Sequence, residues 1–101
     1  MDKTPITVAV DVDIIDLIPG YLENRWGDVH TIRSALQDGD FETIRRLGHS
    51  MKGSGGGYGL DPVTDMGSGL EEAAKAEDAD AAWQWLEKLE GFLQRVKVVP
   101  G

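Results

Sequence analysis

The side chains best suited to chemistry lie between residues 47 and 59, in the run Leu-Gly-His-Ser-Met-Lys-Gly-Ser-Gly-Gly-Gly-Tyr-Gly. His49, one of two histidines, is followed by Lys52 at i+3, Gly53 at i+4 and Ser54 at i+5, and six of the thirteen glycines fall in this stretch. An exposed imidazole is a usable nucleophile when neutral, as much of it is near pH 7. A lysine one helical turn away neutralises charge on an anion attached to the ring. By propensity the stretch is a flexible loop; by periodicity it continues a helix that starts near Asp40.

The wheel decides where the ring points. At about 100° per residue from Phe41, the apolar positions Phe41, Ile44, Leu47, Gly48, Met51, Gly55 and Tyr58 span roughly 240° to 0°. His49 falls at roughly 80°, about 150° from the centre of that set, and faces water. Its neighbours on the wheel are Glu42, Arg45, Lys52, Gly53 and Gly56, with Arg46 and Gly57 further round. Each glycine costs about 0.8–1 kcal/mol against alanine inside a helix, so Gly53, Gly55, Gly56 and Gly57 together forfeit roughly 3–4 kcal/mol. A demand other than folding explains them. Gly55 lies on the core side, where it permits tight packing, and the others lie on the histidine face, where they let a bulky reaction partner approach.

Other chemistries fit less well. A phosphate-cradling loop needs Gly-Lys-Ser/Thr, whereas the order here is Lys52-Gly53-Ser54. His30 and His49 are the only imidazoles and neither has a carboxylate at ligand spacing, which argues against zinc or a di-metal centre. No nucleophile elbow supports a Ser/His/Asp triad. His30, next to the core residue Val29, reads as a surface or flank residue. With no cysteine, disulfides and thiolate metal sites are out, and a reducing compartment is compatible.

The elements that must carry His49 follow from patterning. The chain has 101 residues, 41% hydrophobic and 28% charged, enough for one small soluble domain. A net charge of −8 excludes the cationic face that nucleic acid or an anionic membrane requires. There is no secretory or membrane-spanning run, and the chain reads as a cytoplasmic, stand-alone protein.

Residues 1–10 read as an arm whose strand-prone Thr7–Val10 lacks a partner. Asp11 or Asp13 caps a short helix carrying Ile14, Ile15, Leu17 and Ile18, which Pro19-Gly20 interrupts. Leu22, Trp26, Val29, Ile32 and Leu36 form the stripe of a helix over 21–37. Gly39 suits its left-handed end and Asp40 caps the next helix, which runs to about Tyr58. Asp61 caps a helix over about 62–77 that begins with Pro62 and uses Val63, Met66, Leu70, Ala73 and Ala74, with Gly67 and Gly69 thinned for a close neighbour. A last helix to about Val96 carries Ala82, Leu86, Leu89 and Leu93, and a frayed tail follows from Lys97. The expected fold is all-α, an antiparallel up-down four-helix bundle with a short N-terminal extra helix and arm. Its expected divisions are 1–10, 11–97 and 98–101.

Leu47-Gly-His49-Ser-Met-Lys52-Gly53-Ser54 followed by Gly59 resembles the His-x-x-Lys-Gly-Ser-x-x-x-x-Gly signature of histidine-containing phosphotransfer (HPt) domains. Gln37 to Leu47 resembles the family's turn before the active helix, and Leu70-Glu-Glu-Ala-Ala its next helix; the likeness covers roughly residues 13–96. It implies a four-helix bundle whose exposed histidine exchanges a phosphoryl group with receiver-domain aspartates in a two-component phosphorelay. His49 would be the phosphorylated residue and Lys52 its electrostatic support. Gly53 would leave room for the partner, as the wheel also suggests for Gly56; Ser54 and Gly59 would shape the helix and its exit, and Arg45 and Arg46 would help dock an acidic receiver face. The implied partner is a response-regulator receiver domain or a hybrid histidine kinase, met by a monomer that needs no cofactor of its own. Mg²⁺ and most of the catalytic apparatus are expected on the partner, which makes the chain a phosphocarrier and not an enzyme. The competing readings are a non-catalytic bundle that merely binds a receiver, and an enzyme using His49 as general base.

Overall fold

The structure is a computed structural model that describes residues 3–101; Met1 and Asp2, the start of the expected arm, lie outside the described residues. In chain order it contains strand β1 (Ile6–Val10), a 3₁₀ turn (Ile15–Leu17), helices α1 (Ile18–Asp38) and α2 (Phe41–Ser54), a second 3₁₀ turn (Gly56–Tyr58), helices α3 (Asp61–Lys75) and α4 (Ala79–Arg95), and strand β2 (Val96–Pro100). The described residues are therefore mostly helical, with four α-helices and one small strand pair.

That pair corrects two expectations. β1 has a partner and the tail is not frayed: β1 and β2 run parallel, with Ile6 opposite Val96 and Val10 opposite Pro100. A lone two-stranded sheet is marginal in water. Here Val10 is 1% exposed and Ile6, Val8, Val96 and Val98 pack on the core, so burial supports the pairing.

The start of α1 is a second correction. The expected short helix is only the 3₁₀ turn, preceded by Asp11, whose carboxylate accepts the Asp13 N–H at 2.9 Å. Pro19 does not interrupt a helix but lies in the first turn of α1, where its missing N–H is unneeded and its fixed φ suits the helix. Leu17, expected on an apolar face, is 57% exposed. Along α1, Ile18, Tyr21, Val29, Ile32, Ala35 and Leu36 are buried, while Leu22 and Trp26 are half-buried.

The α1–α2 connection follows the expected chemistry. Gly39 is left-handed at φ 70°, and its N–H bonds the Ala35 and Leu36 carbonyls. Asp40 caps α2 by accepting the Thr43 N–H at 3.1 Å and the Thr43 hydroxyl at 2.6 Å. Those two bonds, the hydroxyl's first, hold the Asp40 carboxyl below its ordinary range. Helix α4 is capped likewise, Asp78 accepting the Ala81 N–H at 3.0 Å.

Helix α2 is shorter than its periodicity predicts. It is regular to Ser54; Gly56–Tyr58 tighten into 3₁₀, and Gly59 turns left-handed at φ 76°. The cap position of α3 is Leu60, not Asp61, which is already in the first turn.

The α2–α3 contact positions the site, and glycine makes it possible. A Cβ at Gly67 would lie 2.5 Å from the Lys52 backbone nitrogen and 2.7 Å from the Gly48 carbonyl oxygen. One at Gly48 would lie 2.7 Å from the Glu71 nitrogen, and one at Gly55 2.6 Å from the Thr64 nitrogen. The two backbones therefore touch where any side chain would hold them apart. The expected thinning at Gly67 and Gly69 has this cause: Gly67 meets α2, and Gly69 meets the face of the Trp85 indole from α4.

Candidate functional site

His49 projects from the solvent side of α2 with 71% of its side chain exposed, as the wheel predicts. What lies beneath it was not anticipated. Nδ1 of His49 is 2.8 Å from Oε2 of Glu71, a residue of α3 whose side chain is only 4% exposed. Lys52 Nζ donates to the other carboxylate oxygen, Oε1, at 3.4 Å. Lys75 Nζ, one turn further along α3, lies 4.0 Å from Oε2 and 3.5 Å from Glu72 Oε1.

Burial pushes the Glu71 carboxyl up, but the hydrogen bond from His49 and the charges of Lys75, His49 and Lys52 outweigh it. The group therefore sits below its ordinary range and is a carboxylate at neutral pH. A carboxylate only accepts, so a neutral imidazole beside it carries its proton on Nδ1. The lone pair is then on Nε2, at the outer edge of an exposed ring.

The remaining predicted residues are distributed around this core. Lys52 is 48% exposed and free to pivot on its stem. Nothing lies within 4 Å of a Cβ built at Gly53, so that glycine leaves open surface beside the ring; Gly57 is equally uncrowded but lies beyond the end of α2. Gly56 does not share the helical face of His49, because the helix has ended; its N–H donates to Thr64 Oγ1 at 2.8 Å. Ser54 faces α1, where its hydroxyl pairs with Tyr21 at 2.7 Å. Tyr21 in turn stacks on Tyr58 with centroids 4.3 Å apart, and Arg25 lies over its ring. Ser54, Tyr58 and the left-handed Gly59 thus fix how the chain leaves α2. Arg45 pairs with Glu42 at 2.6 Å on the exposed face, and Arg46 is exposed beside it. His30 is exposed on α1.

Sequence reasoning missed Glu71. It borders the apolar stripe of α3, next to Gly67 on the wheel, and a glutamate there reads as a flanking charge. The available signal was the pair of glycines, Gly48 and Gly67, on facing helices: a contact without side chains draws in whatever stands beside it.

No group of three or more His, Cys, Asp or Glu side chains is arranged to hold a metal ion among the described residues. None of their helices is long and apolar enough to cross a membrane. The family model for the Hpt domain matches residues 21–98.

The chain belongs to the Hpt domain family.

The match runs from Tyr21 within α1, through α2, α3 and α4, into β2, and includes His49, Lys52 and Glu71. Comparison with curated proteins finds no match, and neither does comparison with solved structures. Membership carries a general role in phosphorelay histidine phosphotransfer, in which Hpt domains are carriers of the phosphoryl group and work with receiver domains or kinases.

Proposed function

We propose that the protein is a histidine phosphocarrier that exchanges a phosphoryl group between Nε2 of His49 and the aspartate of a receiver domain. One observation carries this reading: an exposed imidazole held at Nδ1, 2.8 Å from a buried carboxylate, which keeps the Nε2 lone pair outward. In the accepting step that lone pair attacks phosphorus of the partner's aspartyl phosphate. The P–Nε2 bond forms, the P–O bond breaks, and its electron pair leaves with the aspartate. The ring is then a phosphoimidazolium with its proton still on Nδ1, facing the Glu71 carboxylate. In the donating step the pair returns to Nε2, and the leaving group is the same neutral imidazole. No proton has to move.

Lys52 turns from Glu71 to the phosphoryl oxygens as their charge arrives, a displacement its exposure permits. Gly53 admits the receiver to the ring, and Arg45 and Arg46 meet its acidic face. Ser54, Gly56 and Gly59 shape the exit from the helix. Phosphoryl transfer depends mainly on positioning and charge stabilisation, so Mg²⁺ belongs to the receiver and this chain takes no cofactor. The four helices are read as an antiparallel up-down bundle, supported by short connections and by the reversed order of the α2–α3 contacts, 48 to 71, 52 to 67 and 55 to 64.

The test is transfer from a labelled phosphorylated receiver. Wild type takes up acid-labile label and His49→Gln does not. The reading is wrong if wild type stays unlabelled with every receiver of its own cell, or if His49→Gln labels equally well. Binding without label would favour a non-catalytic docking module.

A further inference from the structure

Glu71 is the least exposed charged group at the site, and its surroundings are unequal. From α2 it is faced by His49 at 2.8 Å and Lys52 at 3.4 Å, with Arg45 further along the same face. From α3 it is faced by Lys75 at 4.0 Å, beside Glu72. Lys52 and Lys75 divide the carboxylate between them: Lys52 takes Oε1, and Lys75 approaches Oε2, the oxygen that also holds His49. If Lys52 turns to the phosphoryl group, Lys75 is the ammonium left beside Glu71. Resting on the phosphocarrier reading, we propose that Lys75 is a positioning residue that sets the lifetime of the phosphohistidine by sharing the charge of Glu71.

The chemistry runs through the Nδ1 proton. When water attacks phosphorus, the P–Nε2 bond breaks and its electron pair goes to Nε2; inorganic phosphate departs with the protons of the water. With Nδ1 protonated, the departing ring is neutral imidazole. Without that proton it would be an imidazolate, a far poorer leaving group. With that proton in place, a Glu71 carboxylate facing Nδ1 unopposed stabilises the phosphoimidazolium over the neutral imidazole that departs, and so lengthens the life of the bond. An ammonium on the same oxygen offsets that charge and makes the bond more labile. The same charge acts on the unphosphorylated ring, because His49 Nδ1 and Lys75 Nζ approach the same oxygen, Oε2 of Glu71. Removing Lys75 leaves that oxygen's charge to the ring, which favours the ring's protonated form.

The experiment compares wild type, Lys75→Met and Lys75→Arg, each labelled from the same phosphorylated receiver, freed of it, and followed for loss of label. Half-exposed ion pairs shift equilibria by roughly two- to fivefold, so Lys75→Met should lose its phosphoryl group about two- to fivefold more slowly and Lys75→Arg should match wild type. In a Glu71→Gln background, Lys75→Met should have no further effect. Equal lifetimes for Lys75→Met and wild type overturn the inference. So does an undiminished effect in the Glu71→Gln background, because Lys75 would then act on the phosphoryl group or the fold. A purely structural role lowers the melting temperature and leaves the lifetime unmoved. A second arm needs no phosphorylation: ¹⁵N shifts of the His49 ring against pH, where Lys75→Met should move the transition upward. If wild type never takes label, the phosphocarrier reading falls by itself; a ring titration unmoved by Lys75→Met overturns the part assigned to Lys75.

Discussion

Gly67→Ala tests the physical basis of the site, because one methyl group would separate the two helices that build it. Its carbon would sit 2.5 Å from the Lys52 nitrogen, 2.7 Å from the Gly48 oxygen and 2.8 Å from the Met51 Cβ. Ordinary contact begins near 3.4 Å, so α2 and α3 must part by up to about 0.9 Å. Two of the three neighbours are backbone atoms and the third is a Cβ, so no side-chain rotation relieves the clash. Overpacking costs roughly 1–3 kcal/mol, here about 2–3 kcal/mol because no rotation relieves it, and the better helix propensity of alanine returns about 0.8–1 kcal/mol. The net loss is about 1–2 kcal/mol, or roughly 5–15 °C in melting temperature for a domain of this size. Gly53→Ala is the control on the same helix pair. It meets nothing within 4 Å, so only the propensity gain remains, about 0.8–1 kcal/mol and roughly 4–8 °C upward. Far-UV circular dichroism melts of the three proteins decide the matter. Gly67→Ala melting at or above wild type, or Gly53→Ala melting below it, would refute the close-contact explanation.

Three further outcomes follow from other parts of the molecule. Asp40→Ala removes the cap of α2 and should lower the melting temperature by roughly 4–8 °C, read in the same melts. Glu77 is the non-glycine residue with positive φ, 52°, at the end of α3 among the described residues; Glu77→Gly should add roughly 0.5–1 kcal/mol in urea unfolding. The Glu71 carboxyl is held below its unfolded value, so its contribution to stability is fully present above that unfolded value and is lost as pH falls through the folded one. Glu71→Gln should therefore lose less stability than wild type between pH 5 and about pH 3, measured as urea midpoints against pH.

Much of this was legible because local chemistry and fold agree. The left-handed Gly39, the Asp40 cap, the stripe of α2 and the outward His49 each depend on a few consecutive residues, and each stands as the periodicity predicts. What escaped depends on residues distant in the chain. β1 finds its partner some ninety positions away, and neither Ile6–Val10 nor Val96–Pro100 announces the other. Glu71 is buried because Gly48 and Gly67 let two backbones meet, a fact of packing that no pattern within α3 contains. The end of α2 lay between two signals: the apolar period continues to Tyr58, but the glycines and the Gly56–Thr64 bond tighten the chain after Ser54. Pro19 misled because proline reads equally as a break or as the first turn of a helix.

The central claim is that Glu71 holds the proton on Nδ1 and leaves Nε2 as the phosphoryl acceptor. ³¹P–¹⁵N NMR of the protein, with its histidines labelled and phosphorylated by a receiver, tests this most directly. The account predicts one phosphorylated ring, His49, with phosphorus coupled to Nε2 and a protonated Nδ1. Coupling to Nδ1, or phosphorus on any residue other than His49, would contradict it.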